Sequence, residues 1–117
     1  MNFNFKKTTT LEERKLECQR VMQEHPNKVP IIVEKAPTTR IHEIDKTKYL
    51  VERSLSLPQF TASIRKKLDL DEKEGLFLLA NGKISLSQNE IINSIYQKFK
   101  DKDGFLYIAY ASEEIWG

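Results

Sequence analysis

The sequence predicts an α+β domain: a mixed sheet of four to five strands crossed by a helix, with a helical extension at the N-terminus. Three observations carry that prediction. Two capping boxes, Thr10 to Glu13 and Ser56 to Gln59, each open a run of apolar residues at helical spacing. Short runs rich in β-branched and aromatic residues, such as Lys28–Lys35 and Phe105–Ala111, read as strands. Between two further runs stands Asn81-Gly82, the strongest two-residue signal for a hairpin.

The elements follow in order. Residues 1–9 are expected to add a short helical turn. After Thr10, Leu11, Cys18, Val21 and Met22 recur on a helical face, and Pro26 stops the helix soon after Glu24. In the strand Lys28–Lys35, Val29, Ile31 and Val33 share one face; Pro30, Ile32 and Glu34 share the other, half covered through Ile32. A loop through Ala36-Pro37-Thr38-Thr39 leads to a second strand centred on Tyr49-Leu50-Val51. The helix after Ser56 carries proline in its first turn, where a missing N–H costs nothing, and buries Leu57, Phe60, Ile64 and Leu68. Leu76–Ala80 is a short apolar strand. A third helix is expected to begin at Ser87-Gln88-Asn89-Glu90, with Ile91, Ile92, Ile95 and Phe99 facing inward. Asp101-Lys102-Asp103-Gly104 turns the chain into the last strand.

The order is thus helix, then β-β-α-β-β-α-β, which matches a ubiquitin-like β-grasp with an added N-terminal helix. It divides the chain into a helical extension (1–27), the β-grasp domain (28–111) and a flexible C-terminal tail (112–117). A helix laid across one face of a mixed sheet is a stable layered arrangement.

Composition removes several function classes. With 39% hydrophobic and 31% charged residues the chain reads as globular, not disordered. Nineteen basic residues against seventeen acidic ones give a net charge of only +2, too little to point to nucleic acid. No apolar run approaches the roughly 18 residues of a membrane span, and no signal-peptide block is visible, so the expectation is a cytoplasmic protein, soluble as made. The single cysteine, Cys18, cannot close an internal disulfide and reads as a small buried hydrophobe. His25 and His42 lack metal-ligand spacing; Asp69, Asp71, Glu72 and Glu74 are interleaved with lysine and read as a solvated turn. With no phosphate loop or nucleophile elbow either, no catalytic, metal or cofactor site is expected.

Several segments resemble a known family. These are Lys28-Val29-Pro30-Ile31-Ile32-Val33-Glu34-Lys35-Ala36-Pro37, Ile44-Asp45-Lys46-Thr47-Lys48-Tyr49-Leu50-Val51, Gln59-Phe60 with Ile64-Arg65-Lys66-Lys67, and Lys100-Asp101-Lys102-Asp103-Gly104-Phe105-Leu106-Tyr107-Ile108-Ala109-Tyr110. In that order they are similar to the autophagy-related protein 8 family, which includes the GABA-A receptor-associated protein and microtubule-associated light chain 3. The resemblance extends from about Phe5 to Gly117. It implies a non-catalytic modifier that ATP-dependent activating and conjugating enzymes join through its C-terminal glycine, here Gly117, to phosphatidylethanolamine. A cysteine protease deconjugates it. The product is expected on autophagosome and vacuole or lysosome membranes, where it recruits cargo receptors bearing an aromatic-x-x-aliphatic motif.

Glycine suits such chemistry because no side chain crowds the carbonyl that a thiolate and then an amine must attack. Ile115-Trp116-Gly117 fits the family's aromatic-then-glycine ending, with tryptophan where phenylalanine or tyrosine is common. A two-chain lipid holds a protein on a bilayer far more stably than one chain does. Two rival functions stay open: conjugation to protein lysines, and an unconjugated trafficking or cytoskeletal adaptor.

By the resemblance, Glu17, Val21, Pro30, Ile32, Lys48, Leu50 and Phe105 line a pocket for the aromatic anchor of the motif. Tyr49, Val51, Leu55, Phe60 and Ile64 line a second, for the aliphatic anchor. Lys46, Lys48, Lys67 and Lys28 attract flanking acidic residues. Helical spacing alone assigns Val21, Leu55, Phe60 and Ile64 to the core, and lysine clusters are commonly just solvated. The chain departs from the family at Glu52-Arg53, where a proline and a small residue are common, at Ser63, at Ser85-Leu86 in place of a proline pair, and at Leu79 and Gly82. About one extra residue falls between Gly82 and Asn93. An altered motif preference is therefore expected. Lys6, Lys7, Arg14, Lys15 and Arg20 make the N-terminal region basic, which serves solubility or contact with acidic membranes or tubulin's acidic tails.

Overall fold

The computed structural model describes residues 1–112 and shows nine elements. They are α1 (Asn4–Thr8), α2 (Leu11–Glu24), β1 (Lys28–Lys35), β2 (Lys48–Glu52), α3 (Leu57–Lys67), β3 (Phe77–Ala80), β4 (Ile84–Ser85), α4 (Ile92–Phe99) and β5 (Leu106–Ala111). The five strands form one sheet in the order β2-β1-β5-β3-β4. The central pair β1–β5 is parallel, with Ile31 opposite Leu106, and the outer pairs are antiparallel. This is the mixed sheet of a ubiquitin-like fold, with helices on both faces.

Both capping boxes form. Thr10 Oγ1 accepts from Glu13 N–H while Glu13 Oε1 accepts from Thr10 N–H, and Ser56 and Gln59 do the same for α3. The hairpin turn also takes its expected form: Asn81 and Gly82 both have positive φ, as a type I′ turn requires, and Lys83 N–H closes it on Ala80 O at 3.0 Å.

The start of one helix differs from the expectation. The third helix, α4, does not start at Ser87; it starts at Ile92 with Ile91 as an N-cap that offers no side-chain hydrogen bond. The backbone here is engaged elsewhere, because Leu57 donates to Glu90 O, Ile92 to Leu55 O and Asn93 to Arg53 O. These bonds pin residues 90–93 against residues 53–57 and hold Ile91 extended, so the helix cannot begin earlier. Ile91 consequently points outward and is 43% exposed, not buried as its spacing suggests.

The sheet separates two apolar clusters. On one face, α3 (Leu57, Phe60, Ile64, Leu68) and α4 (Ile92, Ile95, Tyr96) pack onto Val29, Ile31, Val33, Leu106, Ile108 and Tyr110. On the other, Phe3 of the N-terminal segment and Cys18 of α2 cover Ile32, Leu79, Phe105, Tyr107 and Ala109. Ile32 is completely enclosed, so the N-terminal helices cover this face more fully than the half cover expected.

The N-terminal layer is fastened by charge as well as by packing. Arg14 Nε donates to Asp103 Oδ2 at 2.8 Å; Tyr107 OH donates to the same oxygen at 2.6 Å, and Phe105 N–H donates to Oδ1 at 2.8 Å. Arg14 is therefore buried and leaves the basic surface expected of the N-terminal region. The two oxygens of Glu34 accept from Asn4 N–H (2.7 Å) and Phe5 N–H (3.0 Å), so β1 caps a helix that has no side-chain cap of its own.

Candidate functional site

The site grows from the position of β2 at the edge of the sheet. Val33 N–H donates to Thr47 O at 2.8 Å, and Arg53 N–H to Asn27 O at 3.0 Å. Inward bonding alternates along an antiparallel strand. Tyr49 and Val51 therefore turn their N–H and C=O groups toward β1, while Lys48 and Leu50 turn theirs outward. Such an edge can accept an added strand. The register that opens it suits Pro30, which lies opposite Leu50 and has no N–H to donate.

Beside this edge lies a pocket of about 170 Å³ lined by Glu17, Val21, Pro30, Lys46, Lys48, Tyr49, Leu50 and Phe105. Six of the seven residues expected around an aromatic anchor thus come together. The seventh, Ile32, is not a lining residue; it has no exposed surface and lies in the core beneath. Lys48 Nζ bonds Glu17 Oε2 at 2.6 Å and stands 5.0 Å from the centroid of the Phe5 ring. This pair spans the pocket and ties β2 to α2. Phe5, from α1, is a participant that no local sequence signal announces.

The residues expected around the aliphatic anchor also meet, but as packed core. Ile64 is 0% exposed and Phe60 2%, and the Tyr49 ring meets Phe60 edge-on at 6.5 Å. Val51 is buried too, while Leu55 is only partly buried. The core reading from helical spacing describes these side chains as they stand. Lys46 and Lys67 hold their ammonium groups 5.2 and 5.6 Å from the Tyr49 ring centroid, so the edge carries a positive cap. Lys28 is not part of it: it lies opposite Glu52 at the far end of β2.

Arg53, one of the departures noted above, acts as a tie. Its Nε donates to Pro26 O at 3.0 Å and its guanidinium to Asn93 Oδ1 at 2.8 Å, joining the end of β2 to α4 and to the turn after α2. Cys18 is buried; desolvation, with the Asp103 and Glu17 carboxylates, pushes its thiol up to about 11, so it stays protonated at neutral pH. No group of three or more His, Cys, Asp or Glu side chains able to hold a metal occurs among the described residues, and no helix among them is long and apolar enough to cross a membrane. Gly117 lies outside the described residues.

Sheet order, crossing helix and open edge strand define a ubiquitin-like protein with a place for an added peptide strand. The model of the family described as "Autophagy protein Atg8 ubiquitin like" matches residues 13–117. The chain is 38% identical over 117 residues to autophagy-related protein 8 of Vanderwaltozyma polyspora, covering all of this chain and 98% of that one. It is likewise 38% identical to autophagy-related protein 8e of Arabidopsis thaliana, over 97% of this chain and 92% of the other. The crystal structure of Trypanosoma brucei ATG8 superposes with a TM-score of 0.91 at 35% identity, covering both chains completely. The chain belongs to the Atg8 family of ubiquitin-like autophagy proteins.

Proposed function

We propose that the chain is a membrane-conjugated autophagy modifier, joined through Gly117 to phosphatidylethanolamine, that recruits cargo receptors and autophagy machinery through the β2 edge. Activating and conjugating enzymes load it, and a cysteine protease releases it. In this reading the protein is cytoplasmic before conjugation and resides on autophagosome and vacuole or lysosome membranes afterwards. Residues 1–27 act as an extension that completes the peptide pocket, 28–111 as the β-grasp body, and 112–117 as the conjugation tail. The chain itself carries out no catalysis.

The observation that supports the peptide reading best is the pairing of an outward-facing edge at Lys48 and Leu50 with a pocket that Glu17, Val21, Pro30 and Phe105 complete. Membership of the family and the Ile115-Trp116-Gly117 ending support the conjugation reading. In a reconstituted conjugation assay, deletion of Gly117 is expected to abolish the lipid adduct while leaving the fold and peptide binding unchanged. Undiminished lipidation of that variant overturns the conjugation reading, and an adduct with the mass of a protein lysine linkage redirects it. Leu50→Ala is expected to weaken an aromatic-x-x-aliphatic peptide by roughly tenfold, as for loss of a central apolar contact.

A further inference from the structure

The outward face of the β2 edge does not end at Leu50. Bonding to β1 runs through the odd-numbered residues, from Thr47 O, which accepts from Val33 N–H, to Arg53 N–H, which donates to Asn27 O. By the same alternation Glu52 turns its N–H outward with Lys48 and Leu50. Facing away from β1, that N–H meets no acceptor among the described residues, whereas Glu52 O already accepts from Leu55 N–H at 3.2 Å. The strand end is held in place: Arg53 Nε donates to Pro26 O at 3.0 Å and its Nη1 to Asn93 Oδ1 at 2.8 Å, so the free donor is positioned before any peptide arrives. The side chain of Glu52 shares the α2 side with those of Lys48 and Leu50, since Tyr49 and Val51 are buried on the α3 side. It is exposed and makes no ion pair among the described residues, its cross-strand neighbour Lys28 included. The edge is therefore polarised. Lys46 and Lys67 cap the Tyr49 ring, and Glu52 lies three residues further on. That is about 10 Å along a strand, beyond the roughly 8 Å screening length of physiological salt, so the two charges act separately.

We propose, resting on the peptide-docking reading above, that Glu52 is a specificity-determining residue of that site. Its N–H donates to the carbonyl of the aliphatic anchor, and its carboxylate selects a basic residue directly after that anchor. The peptide's direction follows from the site. The aromatic pocket lies along Lys46–Leu50, and the residues for the aliphatic anchor cluster around Tyr49, Val51 and Leu55, so an aromatic-first motif runs parallel to β2. In a parallel pair, residues level with each other share a face, and the added strand bonds the outward groups on either side of its own level. An aromatic residue level with Lys48 puts the aliphatic residue level with Val51, pointing to the α3 side. Its N–H then reaches Leu50 O, and its carbonyl meets Glu52 N–H. The next residue comes level with Glu52 on the α2 side. There a lysine or arginine meets an unpaired carboxylate, and a glutamate meets a like charge. A proline at this position would supply neither donor nor charge, so the departure at Glu52 noted above lengthens the edge by one hydrogen bond.

The test is a calorimetric titration of the full chain with three aromatic-x-x-aliphatic peptides, identical except for lysine, alanine or glutamate after the aliphatic residue. The lysine peptide is expected to bind about fivefold more tightly than the glutamate peptide, with alanine between, and the spread should shrink as salt is raised. Glu52→Gln keeps the N–H and removes the charge, so the spread should vanish while the alanine peptide binds as before. Glu52→Pro should erase the spread and also weaken all three peptides about fivefold, as for one lost hydrogen bond. An edge position whose N–H faces outward accepts proline without unfolding. In NMR spectra of the unsubstituted chain, the Glu52 amide proton should move downfield on binding. Equal affinities for the three peptides, a spread that survives Glu52→Gln, or equal binding of the alanine peptide by Glu52→Gln and Glu52→Pro would each overturn the proposal while leaving the peptide site standing. Binding of none of the three peptides defeats the docking reading itself, and the proposal with it.

Discussion

The two faces of the sheet are held in different ways. The α3–α4 face is a continuous apolar core in which Ile31, Leu57, Ile64, Ile92, Ile95, Leu106 and Ile108 have no exposed surface. The α1–α2 face has a smaller cluster and relies on directed polar contacts: Arg14 with Asp103, Glu34 with the start of α1, and Lys6 with Asp101. Apolar burial is non-directional and tolerates small shifts, whereas a charge-assisted hydrogen bond fixes an angle and a distance. The first face therefore makes the domain fold. The second sets how the N-terminal helices sit on it, and with it the shape of the pocket beside β2, since Glu17, Val21 and Phe105 belong to that side.

The comparison can be broken or sharpened by substitution. The largest effect is expected from the apolar face: Ile95→Ala should cost about 2–5 kcal/mol and lower the global unfolding midpoint in denaturant. Next comes Asp103→Asn, which removes the charge that Arg14 and the Tyr107 hydroxyl share. A loss of about 1.5–3 kcal/mol is expected, typical of hydrogen bonds to charged groups. If the faces differ as argued, hydrogen exchange speeds up in α1 and α2 far more than in α3; an equal rise in both would mean the layers unfold as one.

Glu34→Gln is a smaller step. The two N–H groups bond different carboxylate oxygens, and in the amide one of these becomes an NH2 that donates and cannot accept, so about 1 kcal/mol should be lost, seen as fraying of α1. Smallest is the Lys6–Asp101 pair. The carboxyl of Asp101 is raised by burial, but its bonds to Lys6 Nζ and Asp103 N–H more than offset this and hold it below the ordinary carboxylate value. A carboxylate with a depressed folded-state pKa stabilises above its unfolded value and loses that contribution as pH falls through the folded one. The pair should act fully at neutral pH and fade only on acidification below about pH 4. Lys6→Met should remove up to about 1 kcal/mol at pH 7 and almost nothing in strong acid, as chemical denaturation at the two pH values would show.

Much of the fold was legible because its signals are local. A capping box joins residues three apart, an Asn-Gly turn specifies its own dihedrals, and the apolar period of α3 needs only its own eleven residues. The misplaced start of α4 shows where locality ends. Ser87-Gln88-Asn89-Glu90 has the pattern of a cap, but Glu90 O accepts from Leu57 N–H, a bond to a distant segment that no window of sequence contains. The site divides the same way. The outward groups of Lys48 and Leu50 follow from strand alternation once β2 is placed at the edge, and the family resemblance supplied the lining residues.

Composition, period and turn chemistry thus determined which segments are helices and strands, in what order, and which faces are apolar, since each depends on neighbours along the chain. Tertiary structure alone decided that Arg14 leaves the basic surface for Asp103 and that Ile32 lies beneath the pocket and not in its wall. Those outcomes depend on which distant groups meet, and the energy of a buried charge or an enclosed side chain is set by that meeting.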